Sequence, residues 1–167
     1  MSLRILGIDP GSRITGFGVI EVVRGKPQYI TSGCLRVADA GSLPLRLKAI
    51  FEGVSEIVAE FAPQEMAIEQ VFVRHNIDSA LKLGQARGAA ICAATHRDVE
   101  VFEYAPTRIK QSVVGRGHAT KDQVQFMMKT LLQLSATPQE DAADALACAL
   151  CHFNSRGMLN HVREARA

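Results

Sequence analysis

Hydrophobic and polar residues follow two different spacings along the chain. Short apolar runs bounded by Gly and Pro predict β-strands, and longer stretches with apolar residues at helical spacing predict amphipathic helices. The predicted strands cover residues 3–8, 15–22, 28–37, 66–71 and 99–104, and the predicted helices cover 42–61, 78–96, 121–134 and 138–153. The first three strands form a meander, and the last two alternate with helices. This order predicts an α/β fold with a five-stranded mixed sheet flanked by helices.

The start of the last helix is predicted from three residues. Thr137 is a favourable N-cap, Pro138 suits the first helical position, and Glu140 follows at the third. An apolar stretch continues the helix from there. We expect one domain over residues 1–154 and a frayed polar tail over residues 155–167.

Composition is consistent with one soluble domain. The chain has 167 residues, of which 47% are hydrophobic, and this is enough for a single packed core. No apolar run approaches the roughly 18 residues of a membrane span. The four cysteines lie inside apolar runs rather than in a spaced disulfide framework. We therefore expect a cytoplasmic protein in a reducing compartment.

Charge is distributed unevenly along the chain. The net charge is only +2, but residues 74–129 contain nine Lys and Arg against five Asp and Glu. The segments on either side each carry a net charge of −1. The middle of the chain is therefore expected to contact an anionic partner.

Four carboxylates occupy unusual positions in the predicted elements. Asp9 ends an apolar strand, Glu69 interrupts another, and Asp141 and Asp144 lie three residues apart on the last helix. An isolated acid on an apolar element costs several kcal/mol to bury unless it is paired or bound to a cation. Side chains three residues apart on a helix share one face. If the two strands are neighbours, the acids form an all-oxygen site that suits Mg²⁺ or Mn²⁺.

Such a site predicts phosphodiester hydrolysis. Two cations about 4 Å apart can activate a water on one side of a phosphodiester and stabilise the leaving oxygen on the other. We expect two Mg²⁺ ions per subunit, with Mn²⁺ as a substitute. The alternative is that these acids are ordinary caps and surface groups, as single acids in such places commonly are. Their occurrence together, in this order, favours the metal site.

Four motifs stand out between residues 3 and 153. They are Gly7-Ile-Asp9-Pro-Gly-Ser-Arg-Ile-Thr-Gly16, Ala67-Ile-Glu69-Gln-Val-Phe72, Leu81-Lys-Leu-Gly-Gln85 and Asp141-Ala-Ala-Asp144-Ala-Leu-Ala. As a set, they resemble the RuvC family of bacterial Holliday junction resolvases. The resemblance implies a ribonuclease H-like fold, a homodimer, and symmetric nicking of four-way DNA junctions during recombination and repair. The family's four acids map onto those named above.

The resemblance also assigns residues to contacts with DNA. Phe72 matches a family aromatic at the junction centre, where it can stack on an unpaired base. Lys110 and Lys121 match lysines near the scissile phosphate, and Lys121 is also a candidate catalytic residue. Residues assigned to the DNA backbone from their place in the sequence are Arg74, Arg108, Arg116 and His118. The alternative for each is an ordinary core or surface role.

Partners are also implied by the resemblance. They are a second copy of the chain, the RuvA junction-binding protein and the RuvB branch-migration motor. Gly84 and Gly88 lie on one face of a predicted helix, and this face is the candidate for part of the dimer contact. Internal helix packing is the alternative for these two glycines.

Three other functions are compatible with parts of the pattern. An actin-like or sugar-kinase ATPase also begins with a Gly-Ile-Asp strand, but this chain is short for a two-lobed body and has no second phosphate loop. A non-catalytic junction-binding module has no need of all four acids. Another ribonuclease H-like nuclease would keep the metal chemistry and act on a different nucleic acid.

Overall fold

A five-stranded sheet forms the centre of the fold. The computed structural model describes residues 2–72, 76–115 and 117–164, the last seven as backbone alone. The strands in these ranges are β1 (Leu3–Asp9), β2 (Ile14–Val23), β3 (Lys26–Arg36), β4 (Glu65–Glu69) and β5 (Glu100–Tyr104), in the sheet order β3-β2-β1-β4-β5. β1, β2 and β3 pair antiparallel, whereas β4 is parallel to β1 and β5. The predicted mixed sheet is confirmed.

Helices cover both faces of this sheet. They are α1 (Leu43–Phe61), α2 (Ile77–Thr95), α3 (Pro106–Val114), α4 (Lys121–Leu131) and α5 (Glu140–Glu164), with a 3-10 turn at Ala38–Ala40. α1 and α2 share an apolar cluster with Leu6 and Ile8, and the other three helices share one with Ile5 and Ile20. Because β1 is covered on both faces, consecutive residues along it are buried. No helix in the described ranges is both long and apolar enough to cross a membrane.

Helix α3 lies where no helix is predicted. Its nine residues include only two buried apolar side chains, Ile109 and Val113, which is too few to give a clear helical period. Pro106 begins the helix at a position where the missing N–H has no consequence, and Gly115 ends it with a φ of 76°. The residues between β5 and Gly115 are therefore held on a rigid element rather than on a loop.

Helix α5 differs from its prediction at both ends. It begins at Glu140 rather than at Pro138. The Pro138 carbonyl accepts a hydrogen bond from the side chain of Gln125 in α4, and the Gln139 carbonyl accepts one from the Ala143 N–H. The helix also continues to Glu164. The expected frayed tail is thus corrected, since the backbone is helical through this residue.

A buried polar network holds the second half of α5 against the sheet. His152 is fully buried, and its ring nitrogens lie 2.6 Å from the Tyr104 hydroxyl and 2.7 Å from the Glu65 carboxylate. Arg156 lies 2.9 Å from the same carboxylate. Burial opposes ionisation of Glu65, but hydrogen bonds from His152 and Arg156 hold its pKa below the ordinary value. These contacts explain why the helix continues past the apolar stretch seen in the sequence.

Candidate active site

Four carboxylates line one cavity at the end of the sheet. Asp9 is the last residue of β1 and Glu69 is the last residue of β4, and these two strands pair in parallel. The first turns of α5 carry Asp141 and Asp144. A cavity of about 310 Å³ is lined by all four side chains. The fold therefore brings together the acids that the sequence analysis singles out.

The close approach of α5 depends on glycines in β1 and β2. A Cβ at Gly7 would lie 1.9 Å from the carbonyl oxygen of Ala145, and a Cβ at Gly16 would lie 2.0 Å from that of Asp141. Both obstacles are backbone atoms, so any larger residue would push the helix away from the sheet. Gly16 also pairs with Asp9 across the β1–β2 ladder. This contact therefore helps to set the distance between Asp141 and Asp9.

Burial and mutual repulsion raise the pKa values of three of these acids. Burial, followed by the charges of Glu69, Asp144 and Asp141, raises the pKa of Asp9 to about 8. Burial and the charge of Asp144 raise the pKa of Glu69 to about 7. Burial and the charge of Glu140 raise the pKa of Asp144 to about 6. The cluster therefore resists full ionisation near neutral pH.

The donor set fits a hard divalent cation. The titratable groups lining the cavity are carboxylates and two lysines, with no His or Cys, and oxygen-only sites favour Mg²⁺ or Mn²⁺. A cation would relieve the repulsion that raises the three pKa values. Among the described residues, no three His, Cys, Asp or Glu side chains are already close enough together to hold a metal ion. The ligand types at the site suit a divalent cation, although the carboxylates are not arranged as a complete coordination sphere.

Two lysines border the carboxylates. Lys110 of α3 and Lys121, the first residue of α4, line the same cavity. The charge of Lys110 partly offsets the rise in the pKa of Glu69. Lys121 Nζ donates a hydrogen bond to the Glu140 carboxylate, and this contact raises the pKa of Lys121. A capping box at Thr120 fixes the start of α4 and thus the place of Lys121.

A groove leads from the carboxylates to an exposed aromatic ring. It has a volume of about 500 Å³, and its lining includes Asp9, Glu69, Phe72, Lys110 and His118. Phe72 follows β4 and is 58% exposed, which excludes the alternative that it is a core residue. Three predicted DNA contacts, Phe72, Lys110 and His118, therefore share one surface beside the acids.

One face of α2 is exposed and apolar. Ile77 is 71% exposed and Leu81 is 64% exposed. A Cβ at Gly84 or Gly88 would meet no atom within 4 Å. These four positions form one stripe at helical spacing, whereas buried alanines on the other side of α2 pack in the cluster shared with α1. Internal helix packing therefore does not account for the two glycines.

Comparison with known proteins decides the family. A family model described as crossover junction endodeoxyribonuclease RuvC matches residues 5–152. The chain belongs to the RuvC family. A crossover junction endodeoxyribonuclease RuvC from Aeromonas hydrophila is 63% identical over 155 residues, which cover 93% of this chain and 89% of the relative. Membership of the RuvC family makes the chain a crossover junction endodeoxyribonuclease.

Solved structures agree with this assignment. Thermus thermophilus RuvC in complex with a Holliday junction substrate is 34% identical, with a TM-score of 0.84 and coverage of 93% of this chain and 96% of that chain. A yeast mitochondrial Holliday junction resolvase shares the fold, with a TM-score of 0.56, 12% identity and coverage of 97% of this chain and 84% of that chain. The expected ribonuclease H-like fold is confirmed.

Arg108 does not line the groove that contains Phe72. Its guanidinium lies 5.4 Å from the centre of the Tyr104 ring and donates a hydrogen bond of 3.2 Å to Ser155 Oγ. It therefore packs against the second half of α5, outside that groove, and its assignment to the DNA backbone stays a prediction. Two other arginines with that assignment, Arg74 and Arg116, lie outside the described residues.

Glu140 belongs to the site but is not among the predicted site residues. It lines the carboxylate cavity, accepts a hydrogen bond from Lys121 and raises the pKa of Asp144. In the sequence it occupies the first turn of a predicted helix, where an acid is expected for capping alone. Its position directly before Asp141 is the signal that would have found it.

Replacing one crowded acid should stabilise the metal-free protein at higher pH. Between its ordinary pKa of 3.8 and its folded value of about 8, Asp9 retains a proton in the folded state that the unfolded state releases. Stability therefore falls as pH rises through this window. We expect Asp9→Asn in EDTA to gain about 1–3 kcal/mol at about pH 8 and little at about pH 4, measured by thermal unfolding.

The matched control is Asp39→Asn, which changes an exposed acid. It should leave the stability at both pH values within about 0.5 kcal/mol of wild type. A loss of stability in Asp9→Asn at the higher pH would contradict the proposed repulsion.

Adding a methyl group at Gly16 should displace the start of α5. Its Cβ would lie 2.0 Å from the Asp141 carbonyl oxygen, and a shift of about 1 Å at a reacting centre can cost about 100-fold in rate. We expect Gly16→Ala to lower the rate of junction cleavage by about that factor. Gly157→Ala, where the added Cβ meets no atom within 4 Å, should cleave at the wild-type rate. Equal rates in both variants would show that the close contact is unimportant.

Proposed function

We propose that this chain resolves four-way DNA junctions in recombination and repair by metal-dependent hydrolysis of one phosphodiester in each of two strands. The observation that supports the metal site most directly is the cavity lined by Asp9, Glu69, Asp141 and Asp144. Ordinary capping or surface acids do not share a cavity or raise each other's pKa values in this way. Membership of the RuvC family favours the junction over other nucleic acids.

The four acids would hold two Mg²⁺ ions, and Mn²⁺ could take the place of Mg²⁺. When bound, such cations supply the positive charge that activates a water for attack and stabilises the leaving oxygen. Asp9 and Glu69 come from rigid strands, whereas Asp141 and Asp144 come from a helix fixed on those strands. Rigid elements favour this chemistry because the reacting groups do not have to be reorganised during the reaction.

Lys110 and Lys121 would bind the scissile phosphate. Both ammonium groups border the carboxylates, so each is placed for a phosphate that lies over the acids. Lys121 Nζ donates a hydrogen bond to Glu140 and would exchange this carboxylate for a phosphate oxygen. The free N–H groups at the start of α4 also favour an anion at that position.

Phe72, next to this phosphate site, would stack on an unpaired base at the junction centre. Its ring is exposed and lines the same groove as Asp9 and Glu69, and bases stack on aromatic rings irrespective of sequence. His118 lines the same groove and would contact the backbone. Arg74 and Arg116 keep the same proposed role, which rests on their place in the sequence.

A homodimer would use the exposed face of α2. Ile77 and Leu81 present apolar side chains to solvent, and Gly84 and Gly88 leave room for a second helix to approach closely. A two-fold contact repeats each active site at a symmetry-related place. That arrangement suits a junction whose two cut strands are themselves related by an approximate two-fold axis.

Partner proteins are proposed from the family alone. RuvA binds junctions and RuvB drives branch migration, and we propose both as functional partners of this chain in the cytoplasm. A non-catalytic junction-binding module is not favoured, because all four acids converge on one cavity.

Cleavage of matched substrates tests the proposed function. A labelled mobile four-way junction, a linear duplex and an RNA–DNA hybrid of the same sequence are incubated with Mg²⁺ or EDTA. The wild type should place paired nicks in the junction only, and only with Mg²⁺. Asp9→Asn should cut at least about 100-fold more slowly while still binding the junction, because one metal ligand is lost.

Asp98→Asn is the control for the cleavage assay, since Asp98 is an exposed acid whose φ of 58° also suits Asn. It should cut at the wild-type rate. Cleavage of the RNA–DNA hybrid by the wild type would contradict the proposed junction substrate. Junction binding by the wild type without cleavage would favour the non-catalytic module. Full activity of Asp9→Asn would overturn the metal site.

The dimer contact is tested on α2. Leu81→Glu places a charge in the proposed apolar interface and should weaken dimerisation by at least about tenfold, as measured by sedimentation equilibrium. Leu45→Glu changes a leucine of α1 that is 51% exposed and should leave the dimer intact. The same dimerisation constant in both variants would place the interface elsewhere.

A further inference from the structure

Arg87 connects α2 to the end of the strand that carries Glu69. It lies on α2, and its Nε atom donates a hydrogen bond of 3.0 Å to the main-chain carbonyl oxygen of Glu69. Its side chain is only 18% exposed. Neither the sequence motifs nor the cavity lined by the four acids includes Arg87.

The bond from Arg87 acts on a peptide group that is held from two sides. Pairing between β1 and β4 ends at Ile68, so Glu69 has no partner in β1. The carbonyl oxygen of Glu69 and the N–H of Gln70 belong to the same planar peptide group. The N–H donates to the Tyr104 carbonyl of β5 at 2.9 Å, and the carbonyl accepts from Arg87. Both ends of this peptide group are thereby fixed.

Fixing this peptide group fixes the direction of the chain at Glu69. The carboxylate of Glu69 is repelled by that of Asp144, and nothing in β1 pairs with its backbone to resist the repulsion. Rotation of the following peptide group would let the carboxylate swing away from the other acids. A hydrogen bond from a mostly buried charged donor resists that rotation more strongly than a neutral one.

Glu103 holds the other side of the guanidinium. Arg87 Nη2 lies 2.9 Å from Glu103 Oε2, but its N–H bonds do not point along this contact, so the pair is ionic without being a hydrogen bond. The directional bond is the one from Nε to Glu69. Arg87 and Glu103 also line a groove with Gln70, Val71 and Phe72. The ion pair between Arg87 and Glu103 therefore lies next to the residues that follow Glu69 in the chain.

We propose that Arg87 is a positioning residue for catalysis. It holds the Glu69 carboxylate in place through the main chain, without contact to substrate, and so prepares the acids to bind a divalent cation. The inference rests on the metal site proposed above. Contacts of this kind, which orient a ligand from behind, typically contribute about 10–100-fold in metal affinity or activity.

The test compares Arg87→Met with Arg87→Lys and Arg97→Met. Arg87→Met keeps the aliphatic stem and removes the donors, Arg87→Lys keeps a charged donor, and Arg97→Met removes an exposed arginine just after α2. Three quantities are measured: the Mg²⁺ concentration that half-saturates the rise in Tm without DNA, the junction Kd in EDTA, and the single-turnover cleavage rate at saturating junction.

We expect Arg87→Met to need about 10–100-fold more Mg²⁺ for half-saturation and to cleave more slowly at a fixed Mg²⁺ concentration. Its junction Kd in EDTA should stay within about threefold of wild type, because phosphate contacts set that affinity. Arg87→Lys should recover part of the loss, and Arg97→Met should behave as wild type.

Two results would overturn the inference. One is an unchanged Mg²⁺ requirement in Arg87→Met. The other is a loss of cation binding, junction binding and Tm in parallel, with no recovery in Arg87→Lys, which is the pattern of a purely structural residue. If Arg87→Met does not fold, Arg87→Lys decides the question. A wild-type Mg²⁺ requirement in Arg87→Lys supports the inference. A parallel loss of cation binding, junction binding and Tm in that variant contradicts it. A wild type whose Tm does not respond to Mg²⁺ contradicts the metal site itself.

Discussion

Direct backbone contact between α5 and the sheet is the constraint on which the site depends. At Gly7 and Gly16 no side chain separates the helix from the strands. The first turns of α5 are thereby brought to the strand ends that carry Asp9 and Glu69. Like charges are crowded together as a result, and burial together with this crowding raises the pKa values of Asp9, Glu69 and Asp144. A tight fold and an unstable charge cluster are two consequences of one contact.

Packing and hydrogen bonds in the rest of the molecule hold α5 on the sheet against the repulsion among the carboxylates. Apolar clusters on both faces of the sheet hold the strands and helices together. The network around His152 fixes the middle of α5 against β4 and β5. Active sites commonly retain such locally unfavourable groups at the expense of stability. In this chain a cation would turn the unfavourable cluster into a binding site.

The sheet and four of the five helices follow from local patterns, but α3 and the ends of α5 do not. Leu6 and Ile8, for example, are fully buried, and the short apolar run that contains them is visible in the sequence. Helix α3 has too few buried residues to show a period, and its stability comes from contacts distant in sequence. Just before the start of α5, the side chain of Gln125 in α4 donates a hydrogen bond to the Pro138 carbonyl, and no local pattern indicates this contact.

Some residues of the site can be predicted from the sequence, and others cannot. Asp9, Glu69 and the two acids of α5 are visible in the sequence because acids are rare on apolar elements. Glu140 has the appearance of a capping residue, and Arg87 acts through a main-chain carbonyl, so neither leaves a recognisable pattern. The dimensions of the groove beside Phe72 depend on α3, which is itself unpredicted.

The most direct test of the charge cluster is the release of protons when Mg²⁺ binds. Calorimetric titration of the DNA-free protein at about pH 7, in two buffers with different heats of ionisation, measures this release. Because the pKa of Asp9 is about 8 and that of Glu69 is about 7, about 0.9 and about 0.5 protons are bound to them at about pH 7, and roughly 1.4 protons per chain should be released on binding. Saturable binding with no proton release, or no binding at all, would contradict the view that a cation replaces protons on crowded carboxylates.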